Sequence, residues 1–175
     1  MWVALPEATR HGHGGFEHHT VLPQGDIDGG VATVLLGDFA ELRSPARHDT
    51  PLVGVDLDLH GSTTVPLRPD WEYALVVLEG GLAVNGQPLV AGKLGYLGKD
   101  RDELPLEIRE PTRVVLLGGE PFGEPIIMWW NFVARDRDEI ERAYRSWQAQ
   151  DDRFARVDSP LARIPATTPW WLQGA

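Results

Sequence analysis

The chain has 175 residues, with 42% hydrophobic and 24% charged side chains, a balance that fits one globular domain and argues against global disorder. The formal net charge is -10 and 14 of the 16 basic residues are arginines, so no basic stripe exists for a phosphate backbone and no direct nucleic-acid binding is expected. The absence of cysteine removes disulfides, thiolate nucleophiles and Cys-ligated zinc. No apolar run approaches the roughly 20 residues of a membrane helix, and the opening Met1-Trp2-Val3-Ala4-Leu5-Pro6 lacks a signal-peptide core, so a cytoplasmic location with no membrane association is expected.

Residues 1–30 hold four of the six histidines between prolines and glycines, and read as an extended arm. Val31 to Leu36 is a compact aliphatic run ending in the turn residues Gly37 and Asp38, and predicts the first strand. Leu52 to Leu59 alternates, with Val53, Val55, Leu57 and Leu59 on one face and Gly54, Asp56 and Asp58 on the other, as a half-buried strand requires. Tyr73 to Leu78 is nearly continuous in apolar residues and predicts a strand covered on both faces. Leu82 to Val84 follows, Asn85-Gly86 supplies a type I′ turn, and Lys93 to Leu97 is expected to return as the next strand. Arg113 to Leu117 and Ile126 to Trp130 complete at least seven short strands, a count that favours a sandwich or barrel.

One helix is predicted, starting near Asp136 with Glu139 completing a capping-box pattern. Ile140, Ala143, Tyr144 and Trp147 form its apolar stripe, expected against the outside of the barrel, while Asp138 with Arg142 and Glu141 with Arg145 are solvated pairs. Beyond Phe154, Pro160, Pro165 and Pro169 predict an extended tail whose terminal Trp170-Trp171 pair should dock. The domain reading is an arm over 1–30, a barrel with its helix over 31–154 and a tail over 155–175.

Several ordered motifs resemble the C-terminal half of the pirin family of cupins. They are Trp2 to Pro6, Phe16-Glu17-His18-His19, Ser44-Pro45, Leu78-Glu79-Gly80, Gly118-Gly119-Glu120-Pro121 and, most specifically, Met128-Trp129-Trp130-Asn131-Phe132-Val133 followed by the Glu139-Ile140 helix. The resemblance implies an all-β fold, a single cupin barrel or jelly-roll sandwich of short antiparallel strands with one C-terminal amphipathic helix and extended terminal arms. Pirins are typically bicupins whose N-terminal half holds an iron-type metal on three histidines and one glutamate, and some resemble quercetin dioxygenases. By this likeness the chain starts where that half would end, so the family's activity is not expected to carry over unchanged.

The general cupin motif places Gly, His-x-His, Glu and Gly at fixed spacing, and that spacing fits from Gly61 to Gly80. Its ligand positions fall on Leu67, Pro69 and Tyr73, and the histidine position of the second motif, beyond Gly92, falls on Gly95. Leucine, proline and glycine side chains donate nothing to a divalent metal. Strand alternation then predicts an apolar pocket lined by Leu67, Tyr73, Leu75 and Val77, able to hold a small apolar ligand or simply to fill itself.

A competing cluster is His11-Gly12-His13-Gly14-Gly15-Phe16-Glu17, which repeats the His-x-His then Glu spacing. As a strand it would put His11, His13 and Glu17 on one face, a set suited to iron or another first-row divalent metal, although its glycines oppose that conformation. Ser44, Ser62, Ser146 and Ser159 have no argued base, and no glycine-rich phosphate loop is present. The favoured expectation is a barrel without metal or other cofactor, binding a partner protein or small apolar ligand. The alternative is a metal-dependent quercetinase-like dioxygenase using the arm. A homodimer is expected, because an isolated half would leave apolar surface in water.

Overall fold

The computed structural model describes residues 2–154 and 156–173. Two compact units divide the chain: Leu5–Pro121, and Phe122–Ala175 together with Met1–Ala4. These limits differ from the divisions after residues 30 and 154 expected above. Residues at the end of the arm pair into the barrel, and residues of the tail share a core with the helix.

In chain order the first unit contains β1 (Gln24–Ile27), β2 (Gly30–Leu36), β3 (Asp38–Phe39), β4 (Leu42–Arg43), β5 (Leu52–Leu59), β6 (Thr63–Pro66), β7 (Glu72–Glu79), β8 (Gly81–Val84), β9 (Gln87–Val90), β10 (Leu94–Gly98), β11 (Glu103–Ile108) and β12 (Thr112–Gly119). Strands β1-β2-β5-β12-β7-β10 form one antiparallel sheet and β6-β11-β8-β9 a second, with β3 and β4 paired separately. The period-two pattern explains how they face each other. Val53, Val55, Leu57 and Leu59 of β5, Val114 and Leu116 of β12, and Leu75 and Val77 of β7 share a core with Val65, Leu82, Leu104 and Leu106 of the second sheet. Each fully buried leucine or valine of this kind stabilises the fold by about 1.5–3 kcal/mol relative to exposure. The fold is the expected β-sandwich of short antiparallel strands.

Local departures from the expected pattern have local causes. Residues 24–27, expected in the arm, pair with β2, from Gln24 opposite Thr33 to Ile27 opposite Gly30. Asn85 and Gly86 do adopt positive φ, at 50° and 72°, but the strand they return is β9, and β10 crosses to the other sheet. Strand β7 is fully covered only on its inward side; Ala74 and Val76 are half-buried and Leu78 is exposed.

The second unit holds the hairpin β13 (Ile127–Trp129) and β14 (Phe132–Ala134), then helix α1 (Arg137–Ala149) and a short 3-10 turn at Trp170–Leu172. Asp136 caps α1 by accepting from the Glu139 backbone N–H at 2.8 Å, and the Glu139 carboxylate accepts from the Arg135 N–H at 2.8 Å, one residue earlier than a regular capping box. The apolar stripe of α1, expected on the barrel, instead joins a second core with Phe132, Ala134 and Ala166, edged by Trp130, Phe154 and Trp171. Aromatic side chains of the hairpin and tail offer the stripe large surfaces within its own unit. Trp171 packs edge-on to Trp129 at 5.6 Å and donates its indole N–H to Glu141 at 3.0 Å, while Trp170 stays 58% exposed beside Arg137. Of the expected tryptophan pair, one docks. Among the described residues no helix is long and apolar enough to cross a membrane.

Candidate functional site

The four residues expected to line a pocket converge in the main core. Tyr73, Leu75 and Val77 lie on the inward face of β7, and Leu67, just beyond β6, packs against them. The Tyr73 hydroxyl accepts the backbone N–H of Arg68 at 2.9 Å, and its ring lies over Gly118, its register partner on β12. A Cβ at Gly118 would meet a carbon of that ring at 2.2 Å, so glycine is required there by the ring rather than by backbone torsion. Burial pushes the Tyr73 phenol above its ordinary pKa, with the Arg68 hydrogen bond and charge acting in opposition. Gly95 faces Leu75 across the β10–β7 ladder, and the Pro69 carbonyl accepts from the Asp100 N–H at 2.8 Å. The space around the positions that match the cupin ligand spacing is thus lined by hydrocarbon, one engaged phenol and backbone.

Neither this interior nor the histidine-rich run fits a divalent metal. Leu67, Pro69 and Gly95 carry no donor side chain, and Tyr73 alone cannot complete a coordination sphere. The run around His11 is not a strand; His11 sits within a turn closed by the Gly12 N–H to the Thr9 carbonyl, and residues 13–19 form no regular element. His11 faces Glu7 at 3.6 Å and His19 faces Glu17 at 3.3 Å, so His11, His13 and Glu17 do not share a focus. No group of three or more His, Cys, Asp or Glu side chains converges among the described residues. The glycines between the histidines leave the backbone without the strand conformation that would have aligned them.

A different constellation, not singled out from the sequence, lies at the rim of the barrel. A cleft of about 280 Å³ is lined by Asp38, His48, Asp49, Pro51, Arg68 and Trp71 among others. Trp71 is buried and stacks near Tyr73 with ring centroids 6.3 Å apart, and the Arg68 guanidinium lies over its indole at 4.5 Å. Asp49 accepts from Arg47 Nε at 2.9 Å and from the Thr9 hydroxyl at 3.0 Å. The Arg47 hydrogen bond, the largest influence, holds the Asp49 carboxyl below the usual carboxylate range. Asp38 pairs with Arg43 at 3.4 Å. The available sequence signal was Arg68 itself, the residue between Leu67 and Pro69, where the cupin spacing calls for histidine.

The serines have structural tasks. Ser44 donates to the Leu35 carbonyl at 2.9 Å and accepts from the Ala46 N–H, and Ser62 accepts from the Ile108 N–H at 3.0 Å. On the outer face of the six-stranded sheet Arg113 forks onto Asp56, with Nη2 at 2.6 Å from Oδ2, so the outward aspartate predicted from alternation is paired across strands.

Comparison with known proteins places this geometry among relatives. Residues 52–155 match the model of the pirin C-terminal cupin domain. The chain is 44% identical to a Pseudomonas aeruginosa protein named "Putative quercetin 2,3-dioxygenase", covering 97% of the chain and 55% of that relative. It is 31% identical to a pirin-like protein of Caulobacter vibrioides, covering 90% of the chain and 55% of the relative. A crystal structure of a quercetin 2,3-dioxygenase from Acinetobacter baumannii superposes with a TM-score of 0.90 at 41% identity, over 96% of this chain and 57% of that one. The chain therefore spans about half the length of the curated relatives it matches.

Proposed function

Because the chain belongs to the pirin family, with the cupin fold of that family, we propose that its barrel works as a binding module without a metal of its own, engaging a partner protein or a small apolar ligand. The observation that carries this reading is that Leu67, Pro69 and Gly95 offer no donor at their ligand positions, while the one donor, the Tyr73 phenol, is bonded to Arg68 and seated on Gly118. An apolar ligand would enter beside Leu67 and Tyr73, above Leu75 and Val77, by displacing the phenol ring. Metal analysis of protein purified without a histidine tag tests the reading: none should copurify, and none should bind on titration with Fe(II), Ni(II), Cu(II) or Mn(II). Stoichiometric metal that disappears in His13→Ala would overturn it.

A second reading is favoured by the names of the relatives at 44% and 41% identity: a quercetinase-like, metal-dependent dioxygenase. Within this chain its donors would have to come from His11, His13 and Glu17, rearranged from the positions described above. Quercetin consumption that tracks bound metal and fails in His11→Ala would support this reading over the first.

We also propose a homodimer formed through β10. This strand is the edge of the six-stranded sheet, and its five residues, Leu94 to Gly98, carry no charge. Leu94 and Tyr96 are 62% and 66% exposed on one face. An uncharged edge with apolar side chains is a template for pairing, and antiparallel pairing with a second copy is self-complementary about a two-fold axis. Light scattering should give a dimer that Leu94→Lys converts to monomer; a monomer of the parent chain at high micromolar concentration removes the proposal.

A further inference from the structure

We propose that the rim cleft binds a small organic carboxylate, with Arg68 as its counter-ion and Trp71 as the platform that holds Arg68 in place. The site lies outside the barrel interior and is independent of whether that interior takes a ligand.

The charge balance around the cleft comes first. Arg43 is engaged by Asp38 and Arg47 by Asp49, whereas the Arg68 guanidinium makes no ion pair among the described residues. The lining itself holds two carboxylates, Asp38 and Asp49, and one guanidinium; with each carboxylate met by an arginine from outside the lining, Arg68 is the charge of the lining without an ion-pair partner among the described residues. Its geometry comes second. One face of the guanidinium rests on the indole of Trp71, which is itself buried and backed by Tyr73. A planar cation stacked in this way keeps its edge N–H groups open and has little freedom left to lose when they bind, the arrangement suited to a bidentate acceptor.

The rest of the cleft narrows the ligand. Pro51 and Leu52 supply an apolar wall, and His48 and Thr50 bring polar groups to the same space. The His48 ring sets Nδ1 toward the Ala46 carbonyl at 3.4 Å, so a neutral ring carries its proton there and its Nε2, a lone-pair acceptor, takes no part in holding the carboxylate. A volume of about 280 Å³ lies just below the roughly 300–1,000 Å³ usual for small-molecule clefts, so the occupant is small. Asp38 and Asp49 line the same space, and their charge disfavours a dianionic phosphate more than a monoanion. A monocarboxylate with a flat or apolar body satisfies all of these constraints.

Benzoate is the probe, followed by NMR of the isotopically labelled full chain, with acetate and inorganic phosphate as separate arms. Saturable shifts should appear at the Arg68 side-chain Nε–H and the Trp71 indole N–H, with acetate weaker for want of a body to meet Pro51 and Leu52. Arg68→Ala should lower benzoate affinity at least tenfold while the amide signals of residues 55–59 and 112–116, away from the cleft lining, stay unchanged, and Arg68→Lys should fall between. No shift at these groups with millimolar benzoate, or equal affinity in Arg68→Ala, overturns the site. Phosphate binding more tightly than benzoate overturns the assigned class. None of these outcomes depends on metal content.

Discussion

The two units solve the same burial problem with different materials. The barrel core is almost wholly aliphatic, with Leu57, Leu59, Leu75, Leu104, Leu106 and Leu116 among its fully buried side chains. The second unit is built from rings: Trp130 lies 5.2 Å from both Phe132 and Trp147, and Phe154 lies 5.2 Å from Trp147. Aliphatic layers between sheets are fixed by strand register, so long ladders must form together. An aromatic cluster around one helix and a hairpin of two three-residue strands is fixed by a few large contacts, and each carries more of the total.

The sharpest way to break this contrast is to cut one anchor from each side. Phe132→Ala should destabilise the second unit by about 3–5 kcal/mol, and Leu116→Ala the barrel by about 2–5 kcal/mol, both read by denaturant unfolding. Near-UV circular dichroism should collapse in the first variant and largely persist in the second, because the rings are concentrated in one place. Equal loss in both would contradict a division of labour between the cores.

Gly118→Ala should cost about 1–3 kcal/mol through overpacking against the Tyr73 ring. In a Tyr73→Ala background the same substitution should cost markedly less, and a double-mutant cycle measures the coupling. Additive effects would mean that the ring and the glycine are not in conflict. Asp136→Ala, which removes the cap of α1, should cost about 1 kcal/mol and lower helical signal without touching the barrel.

The smallest effect is one of pH. Burial raises the Tyr73 phenol pKa, so the folded state holds that proton more tightly than the unfolded one. The contribution is fully present below the unfolded phenol value of about 10 and is lost as pH rises through the folded value. Stability should therefore decline on alkaline titration, and Tyr73→Phe should remove part of that slope. An identical slope in the variant would show that the buried phenol is not its source.

Most of the barrel was legible because a period of two is a local signal. Leu52 to Leu59 was bounded correctly from alternation alone, and the helix start followed from Asp136 and Glu139. Strands β6 and β11 were missed because Pro66 and Pro105 interrupt their pattern, and β1 because Gly25 and Asp26 obscure it. The partner of the helical stripe was misjudged for a different reason. Ala166 and Trp171 lie in an aperiodic tail, and nothing local says that they fold back onto α1. That Leu67, Pro69 and Gly95 carry no metal donor was readable residue by residue, whereas the rim cleft was not. It joins Asp38, His48 and Arg68 from separate loops and strand ends, and only the fold brings them together.

The fit of Tyr73 over Gly118 also makes the barrel resistant to being turned into a metal centre. Installing a glutamate at 73 would place a carboxylate among Leu75, Val77 and the space opened above Gly118, with only the charge of Arg68, already stacked on Trp71, to offset it, and a buried charge so weakly paired costs several kcal/mol. Histidine at 67 or 69 alone would gain no coordination to offset its own burial or the lost packing. Each donor is unfavourable until the others are present, so a redesign must change Leu67, Pro69 and Tyr73 in one step.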